Sequence, residues 1–349
     1  MMSFEGNTLR LTEWAEHNTF AGPSAANHMK KFAALNRPDD EPERVKILKD
    51  VYNDAIAEME TIPLWADGDI PGWKPEIELQ NKPQIAFFPA IGGGKRGCIL
   101  VAPGGGYNCK ASGSEGYPII WKLINAGFHC ALLDYRVKPY SQYRSVQDAS
   151  RAIRVIRSMA AELDVLPDKI GMIGASAGGS LTCLACVHWD DGDPDAADPI
   201  ERVSSRPDAG LVMYGCFTAV SWPGADAFMQ MREDGEDFKM PQGGLVSVYM
   251  DEQRPDKFWF SPEKWVNPQT PPFFLWQTTD MDDPRNMLCF AKELADAGVR
   301  FEAHIYPFGP HGMSLADGTG LGSRDDHVAH WFRQAVEWLN IYGFGGAAK

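Results

Sequence analysis

The chain has 349 residues, 44% of them hydrophobic and 23% charged, with a formal charge of -14 at pH 7. That balance belongs to a globular protein with one large core and excludes an extensively disordered one. The negative charge works against phosphate backbones and anionic lipid surfaces, and no basic patch offsets it, so neither nucleic acid nor membrane is an expected partner.

Residues 1–6 lack a basic segment leading into an apolar one, and no apolar run reaches membrane-spanning length, which predicts a cytoplasmic location. The seven cysteines form an odd, scattered set and read as reduced core thiols. Cys183 and Cys186 have C-x-x-C spacing, yet no second pair or histidine cluster accompanies them, so packing is expected there and no metal.

Residues 1–75 read as an accessory segment and connector. Val45, Leu48, Tyr52, Ala55, Ile56 and Met59 recur at helical spacing and predict a helix over 43–59. A Pro/Gly/Trp connector follows over 62–73, and residues 76–349 form the expected catalytic domain. Short apolar runs predict strands at 84–88, 98–102, 129–135, 170–173, 210–214, 273–278 and 301–306. Helical patterns fall at 117–126, 145–163, 177–189, 285–297 and 326–339. Such alternation predicts an α/β fold with a mostly parallel, doubly wound sheet.

Two stretches interrupt the alternation. Residues 190–207 form an acidic loop in which Asp191, Asp193 and Asp195 imitate the start of a calcium loop without its later glycine and glutamate, so a solvated loop is expected. Residues 216–272 are rich in aromatics, Gly and Pro, and an insertion there lies beyond the carboxyl ends of the strands, where a lid or substrate-recognition element belongs.

The sequence Gly174-Ala-Ser-Ala-Gly178 joins the strand at 170–173 to the helix at 177–189. A serine held on so sharp a turn becomes a nucleophile when a base stands beside it, and the glycines remove the Cβ atoms that would clash. Ser176 is therefore the candidate nucleophile. His311, in a turn after the last strand, is the candidate base; His188, His304, His327 and His330 fall on helices or within a strand. Asp280 follows the strand at 273–278 and is the preferred acid to orient His311, with Asp282 and Asp283 as rivals. After the strand at 98–102, Gly104, Gly105 and Gly106 offer bare backbone N–H groups, and Gly105, Gly106 and Ala177 are the expected oxyanion hole. Neither glycine run is a dinucleotide fingerprint, since Ser176 takes the place of the second glycine, and no cofactor is expected.

The order Ser, Asp, His with a glycine loop upstream resembles the α/β-hydrolase fold. Further motifs narrow the likeness: Pro103-Gly-Gly-Gly-Tyr107, Glu115-Gly-Tyr-Pro118, Asp134-Tyr-Arg136, Asp148-Ala-Ser-Arg-Ala-Ile-Arg154, Thr270-Pro-Pro-Phe-Phe-Leu-Trp276 and His311-Gly. From about Ile62 onward the chain resembles the esterase and lipase group that contains acetyl-xylan-esterase-like and feruloyl-esterase-like carbohydrate esterases. Relatives carry a valine-proline pair after the acid where this chain has Met281-Asp-Asp-Pro284, and the insertion matches no motif. The resemblance implies that Glu115, Asp134, Arg136, Asp148, Arg151 and Arg154 form a structural polar network beneath the catalytic turn. It also implies a metal-independent serine carboxylesterase that removes short acyl groups, acetyl first, from a small-molecule or oligosaccharide ester such as acetylated xylo-oligosaccharides. The alternatives are a general short-chain or lipase-like esterase and, in a different class, a hydrolase-fold binding protein without activity. Monomer and homodimer are equally compatible with the sequence.

Overall fold

The computed structural model describes residues 61–75, 81–107, 109–137, 140–215, 218, 220–221, 258–280, 283–318 and 324–345, with two short strands at 238–239 and 245–246. The helix expected at 43–59 lies outside the described residues. Ten strands are described: β1 (Ile62–Pro63), β2 (Gln84–Phe88), β3 (Arg96–Ala102), β4 (His129–Asp134), β5 (Val165–Ala175), β6 (Ala209–Met213), β7 (Phe238–Lys239), β8 (Leu245–Val246), β9 (Phe273–Thr278) and β10 (Phe301–Tyr306). The helices are α1 (Tyr117–Asn125), α2 (Gln142–Ser158), α3 (Ala177–Val187), α4 (Pro284–Asp296) and α5 (His330–Ile341).

Eight strands form one sheet in the order β1-β2-β4-β3-β5-β6-β9-β10, while β7 and β8 make a separate two-stranded ladder. All contacts from β4 through β10 are parallel; β1 with β2 and β2 with β4 are antiparallel. The chain thus has the α/β architecture expected of it. Its connector joins the sheet: Ile62 and Pro63 pair with Ile85 and Gln84, and Leu64 is buried in the core.

Both faces of the sheet's centre are covered, which is why β2, β3, β6 and β9 read as nearly unbroken apolar runs. Along β3, Ile99 and Val101 face α1 and α5, where Trp121, Trp331 and Trp338 pack. Cys98, Leu100 and Ala102 face the opposite way, toward Ala149, Ile153 and Ile156 of α2 and Leu181 of α3. Cys183 and Cys186 are buried in a third cluster with Val212, Phe273 and Phe290, which agrees with packing as the role of the C-x-x-C pair.

Two helix starts differ from the periodic pattern. Helix α2 begins at Gln142 rather than 145 and ends at Ser158, where the chain turns through Asp164 at a φ of 53° into β5. Helix α5 begins at His330 rather than 326, because Asp325 accepts hydrogen bonds from the N–H groups of His327 and Val328 and holds those residues in a turn.

The polar network is buried and paired. Arg136 and Asp148 are both fully buried; the guanidinium grips the carboxylate at 2.6–3.1 Å, and Asp148 also accepts the Arg136 backbone N–H at 2.8 Å. Burial pushes the Asp148 carboxyl up, and the Arg136 charge opposes that shift. Such a pair fixes geometry more than it adds net stability. On α2, Arg151, Arg154 and Arg157 share one face and reach the acidic loop. Arg151 binds Asp198 and Glu201, Arg154 binds Asp190, and Arg157 binds Asp208. The loop is therefore tied to the helix at Asp190, Asp198 and Glu201, while Asp191, Asp193 and Asp195 are exposed to solvent as expected.

The late part of the long insertion packs onto the helices. Phe260 is buried, Trp259 stacks on His188 with ring centroids 4.2 Å apart, and Trp259 carbonyl oxygen lies 2.9 Å from His188 Nε2.

Candidate active site

Strand β5 ends at Ala175 and helix α3 starts at Ala177, leaving one residue to reverse the chain. That residue is Ser176, with φ 52° and ψ −121°. A non-glycine residue with positive φ stores about 1–3 kcal/mol of strain and persists only where the surroundings over-determine it. Here they do: Ser176 N–H donates to Met213 carbonyl oxygen at 2.9 Å, and Ser176 carbonyl oxygen accepts from Ser180 N–H at 3.0 Å.

Close approach explains the flanking glycines. A Cβ on Gly178 would sit 2.0 Å from Ala102 carbonyl oxygen, and one on Gly174 would sit 2.0 Å from Gly178 carbonyl oxygen. Both neighbours are backbone atoms that cannot step aside. Gly178→Ala is thus expected to cost about 3 kcal/mol or more, at the severe end of overpacking. Urea denaturation would measure the loss, and a variant as stable as the parent would contradict the packing described.

His311 Nε2 stands 2.7 Å from Ser176 Oγ. The loop bearing His311 is anchored on both sides. Thr278 hydroxyl donates to Gly309 carbonyl oxygen at 2.7 Å, and Gly309 N–H donates to Asp280 Oδ2 at 3.0 Å. Ser314 N–H donates to the Tyr214 hydroxyl at 2.9 Å, and Trp331 Nε1–H donates to Ser314 carbonyl oxygen at 3.1 Å. The Tyr214 ring meets the imidazole edge-on, with centroids 5.1 Å apart.

The other described histidines have different surroundings. His129 Nδ1 accepts from Ala90 N–H, His188 stacks on Trp259, and His304 pairs with Glu302.

The three candidate acids are not equivalent. Asp280 is exposed, and its Oδ2 accepts from the N–H of Gly309, two residues before His311. Asp283 caps α4, accepting Arg285 N–H at 2.9 Å, and both its oxygens bind the Arg285 guanidinium. Those bonds hold the Asp283 carboxyl below its ordinary value. Asp282 lies outside the described residues.

Beside Ser176 runs the glycine loop. Gly105 and Gly106 have φ of 125° and 62°, and a Cβ on Gly104 would lie 2.8 Å from Ser176 Cβ. Gly104 N–H is already used, donating to Glu115 Oε2 at 2.8 Å. Among the described residues nothing accepts a hydrogen bond from the N–H groups of Gly105, Gly106 or Ala177.

Glu115 and Tyr214 are functional neighbours that sequence reasoning left among structural residues. Glu115 is buried between the glycine loop and the His311 loop, and its Oε1 accepts from the Tyr214 hydroxyl at 3.0 Å. Burial pushes its carboxyl up; Tyr214, His311 and Gly104 act in the opposite direction. The one available signal was the Glu115-Gly-Tyr-Pro118 motif, which marks a position without giving its contacts. Among the described residues no cluster of three His, Cys, Asp or Glu side chains is arranged to hold a metal ion.

Comparison with known proteins agrees with this fold. Endo-1,4-beta-xylanase B of Butyrivibrio fibrisolvens is 30% identical over 64% of this chain and 33% of its own length. Esterase LipQ of Mycobacterium tuberculosis is 26% identical over 68% of this chain and 55% of its own. The chain therefore spans between a third and about half of these curated relatives. Among solved structures, an acetyl ester-xyloside bifunctional hydrolase from Caldicellulosiruptor lactoaceticus is 33% identical, with a TM-score of 0.68 over 82% of this chain and 97% of that one. Residues 86–296, more than half of the sequence, match the BD-FAE family model, and the chain belongs to that family of α/β-hydrolases.

Proposed function

We propose that the protein is a serine carboxylesterase that removes short acyl groups, acetyl first, from carbohydrate esters. The contact that carries this reading is His311 Nε2 at 2.7 Å from Ser176 Oγ, with the serine on a strained turn. At that distance the imidazole can take the hydroxyl proton as Oγ attacks the ester carbonyl, then return it to the departing alcohol. The N–H groups of Gly105, Gly106 and Ala177 receive the negative charge that develops on the carbonyl oxygen. Water, activated by the same imidazole, then releases the acid and regenerates Ser176. A carboxylate from the segment after β9, Asp280 or Asp282, orients His311.

For the substrate, support comes from likeness to the acetyl ester-xyloside hydrolase over 82% of the chain. An aligned stretch of 100 residues is also 30% identical to an acetylxylan esterase of Xylanibacter ruminicola. A competition assay tests the assignment, setting acetylated xylo-oligosaccharides against p-nitrophenyl esters from acetate to decanoate. The highest kcat/KM is expected on the acetylated sugars, with a steep fall beyond short acyl chains. An optimum on longer alkyl esters, with no preference for sugars, would replace this reading by a general short-chain carboxylesterase.

A further inference from the structure

Glu115 is a buried carboxylate at the junction of three segments that build the site. Its Oε2 accepts Gly104 N–H from the glycine loop, and its Oε1 accepts the hydroxyl of Tyr214 at the end of β6. The same hydroxyl accepts Ser314 N–H from the His311 loop, and Ser314 hydroxyl donates to Ser114 carbonyl oxygen at 2.5 Å. A Cβ on Gly312, the residue after His311, would lie 4.0 Å from Glu115 Oε1.

Both hydrogen bonds to Glu115 come from neutral donors, and among the described residues no lysine or arginine pairs with it. A buried carboxylate with neutral partners alone is costly, and it gains most from a cation that appears beside it. His311 becomes that cation when it takes the serine proton.

We propose that Glu115 is a positioning residue for the reaction: its ionised carboxylate holds the glycine loop in place and stabilises the imidazolium of His311 during acyl transfer. This rests on the reading of Ser176 and His311 given above. The titratable groups that face Glu115 are Tyr214 just after β6, His311, Cys109 from the glycine loop and Tyr135 after β4. Those that face His311 among the described residues include Ser176, Tyr214 and Glu115.

The sign of the effect is fixed. An anion near His311 favours its protonated form, so removing the charge lowers the pH at which His311 protonates. Activity needs neutral His311, so the acidic limb of the kcat/KM profile moves to lower pH when the charge is lost. Glu115→Gln removes the charge and keeps an acceptor for Gly104 N–H, while the position that accepts the Tyr214 hydroxyl becomes an NH2 donor. The pH of the limb rather than the size of kcat is therefore the reading that isolates the charge. The limb of the variant is expected to move down by about one pH unit, with kcat on the plateau falling about tenfold and KM little changed.

A folded Glu115→Gln enzyme whose limb stays in place overturns the proposal, because a purely structural role would change Tm without moving it. Should that variant not accumulate as folded protein, the parent labelled with 13C at the glutamate carboxyl carbons gives the answer. The Glu115 signal should be that of an ionised group across the limb and should shift in step with His311. A carboxyl that stays protonated there overturns the proposal equally. Assaying Ser176→Ala alongside separates the two ideas: turnover without the serine hydroxyl removes the reading of the site. A dead Ser176→Ala beside an unmoved Glu115→Gln limb removes only the role of Glu115.

Discussion

Ser176→Ala is expected to lower kcat on p-nitrophenyl acetate by about 10⁴-fold or more, with the fold intact. Alanine keeps the Cβ, so the backbone at φ 52° meets the same strain as in the parent, and the bonds from Ser176 N–H and to Ser176 carbonyl oxygen are unaffected. What disappears is the hydroxyl, and with it the contact to His311 at 2.7 Å. The proposed oxyanion hole of Gly105, Gly106 and Ala177 is unaltered by the substitution, so any residual rate should come from polarisation of the carbonyl and attack by water. Circular dichroism would establish folding, and steady-state kinetics with a fluorophosphonate probe would establish reactivity. Substantial turnover in a folded Ser176→Ala protein, or labelling at another residue, would sink the nucleophile assignment. A parent enzyme that ignores the probe would favour the inactive binding protein.

The parts of this site that could be read from sequence are those whose cause is local. Strands β2 and β9 coincide with their apolar runs, because burial on both faces leaves an uninterrupted signal, while β10, at the sheet edge and largely exposed, matches its expected bounds without one. The turn at Ser176 was legible because the motif itself is short, and one of its glycines, Gly174, is demanded by a backbone contact within the same stretch, to Gly178; the demand on Gly178 comes from the distant Ala102. Strand β1 was not: two residues carry no periodicity, and its pairing partner lies 23 positions away. Glu115 was missed as a neighbour of His311 for the same reason. Its partner Tyr214 is 99 positions downstream, so the motif at 115–118 could place the carboxylate beneath the catalytic turn without showing which residues it contacts. The acidic loop at 190–207 taught a similar lesson. Asp191, Asp193 and Asp195 are exposed as their pattern suggests, but the anchoring of the loop by α2 arginines at Asp190, Asp198 and Glu201 had no local signal.

The orienting acid is where local reasoning is weakest and an experiment is most decisive. Replacing the acid of a serine triad by asparagine lets the histidine settle in the wrong tautomer, and kcat falls by about 10⁴-fold while the geometry survives. Asp283 is spent on the N-terminus of α4 and on Arg285. Asp283→Ala is therefore expected to cost about 1 kcal/mol of stability, as the loss of a helix cap does, and to leave kcat near that of the parent. The large loss should fall on one of the other two. Asp280 comes first after β9 and grips Gly309 at 3.0 Å, which steadies the loop, but its bond to Gly309 is a different contact from one to the imidazole. If Asp280 is the acid, Asp280→Asn loses about 10⁴-fold in kcat and Asp282→Asn no more than about tenfold. If Asp280 only fastens the loop, the two results exchange, and Asp280→Asn acts mainly through stability and a modest rise in KM. Two small losses would place the orienting carboxylate elsewhere, and Glu115, already under His311, would be the next residue to test for that role.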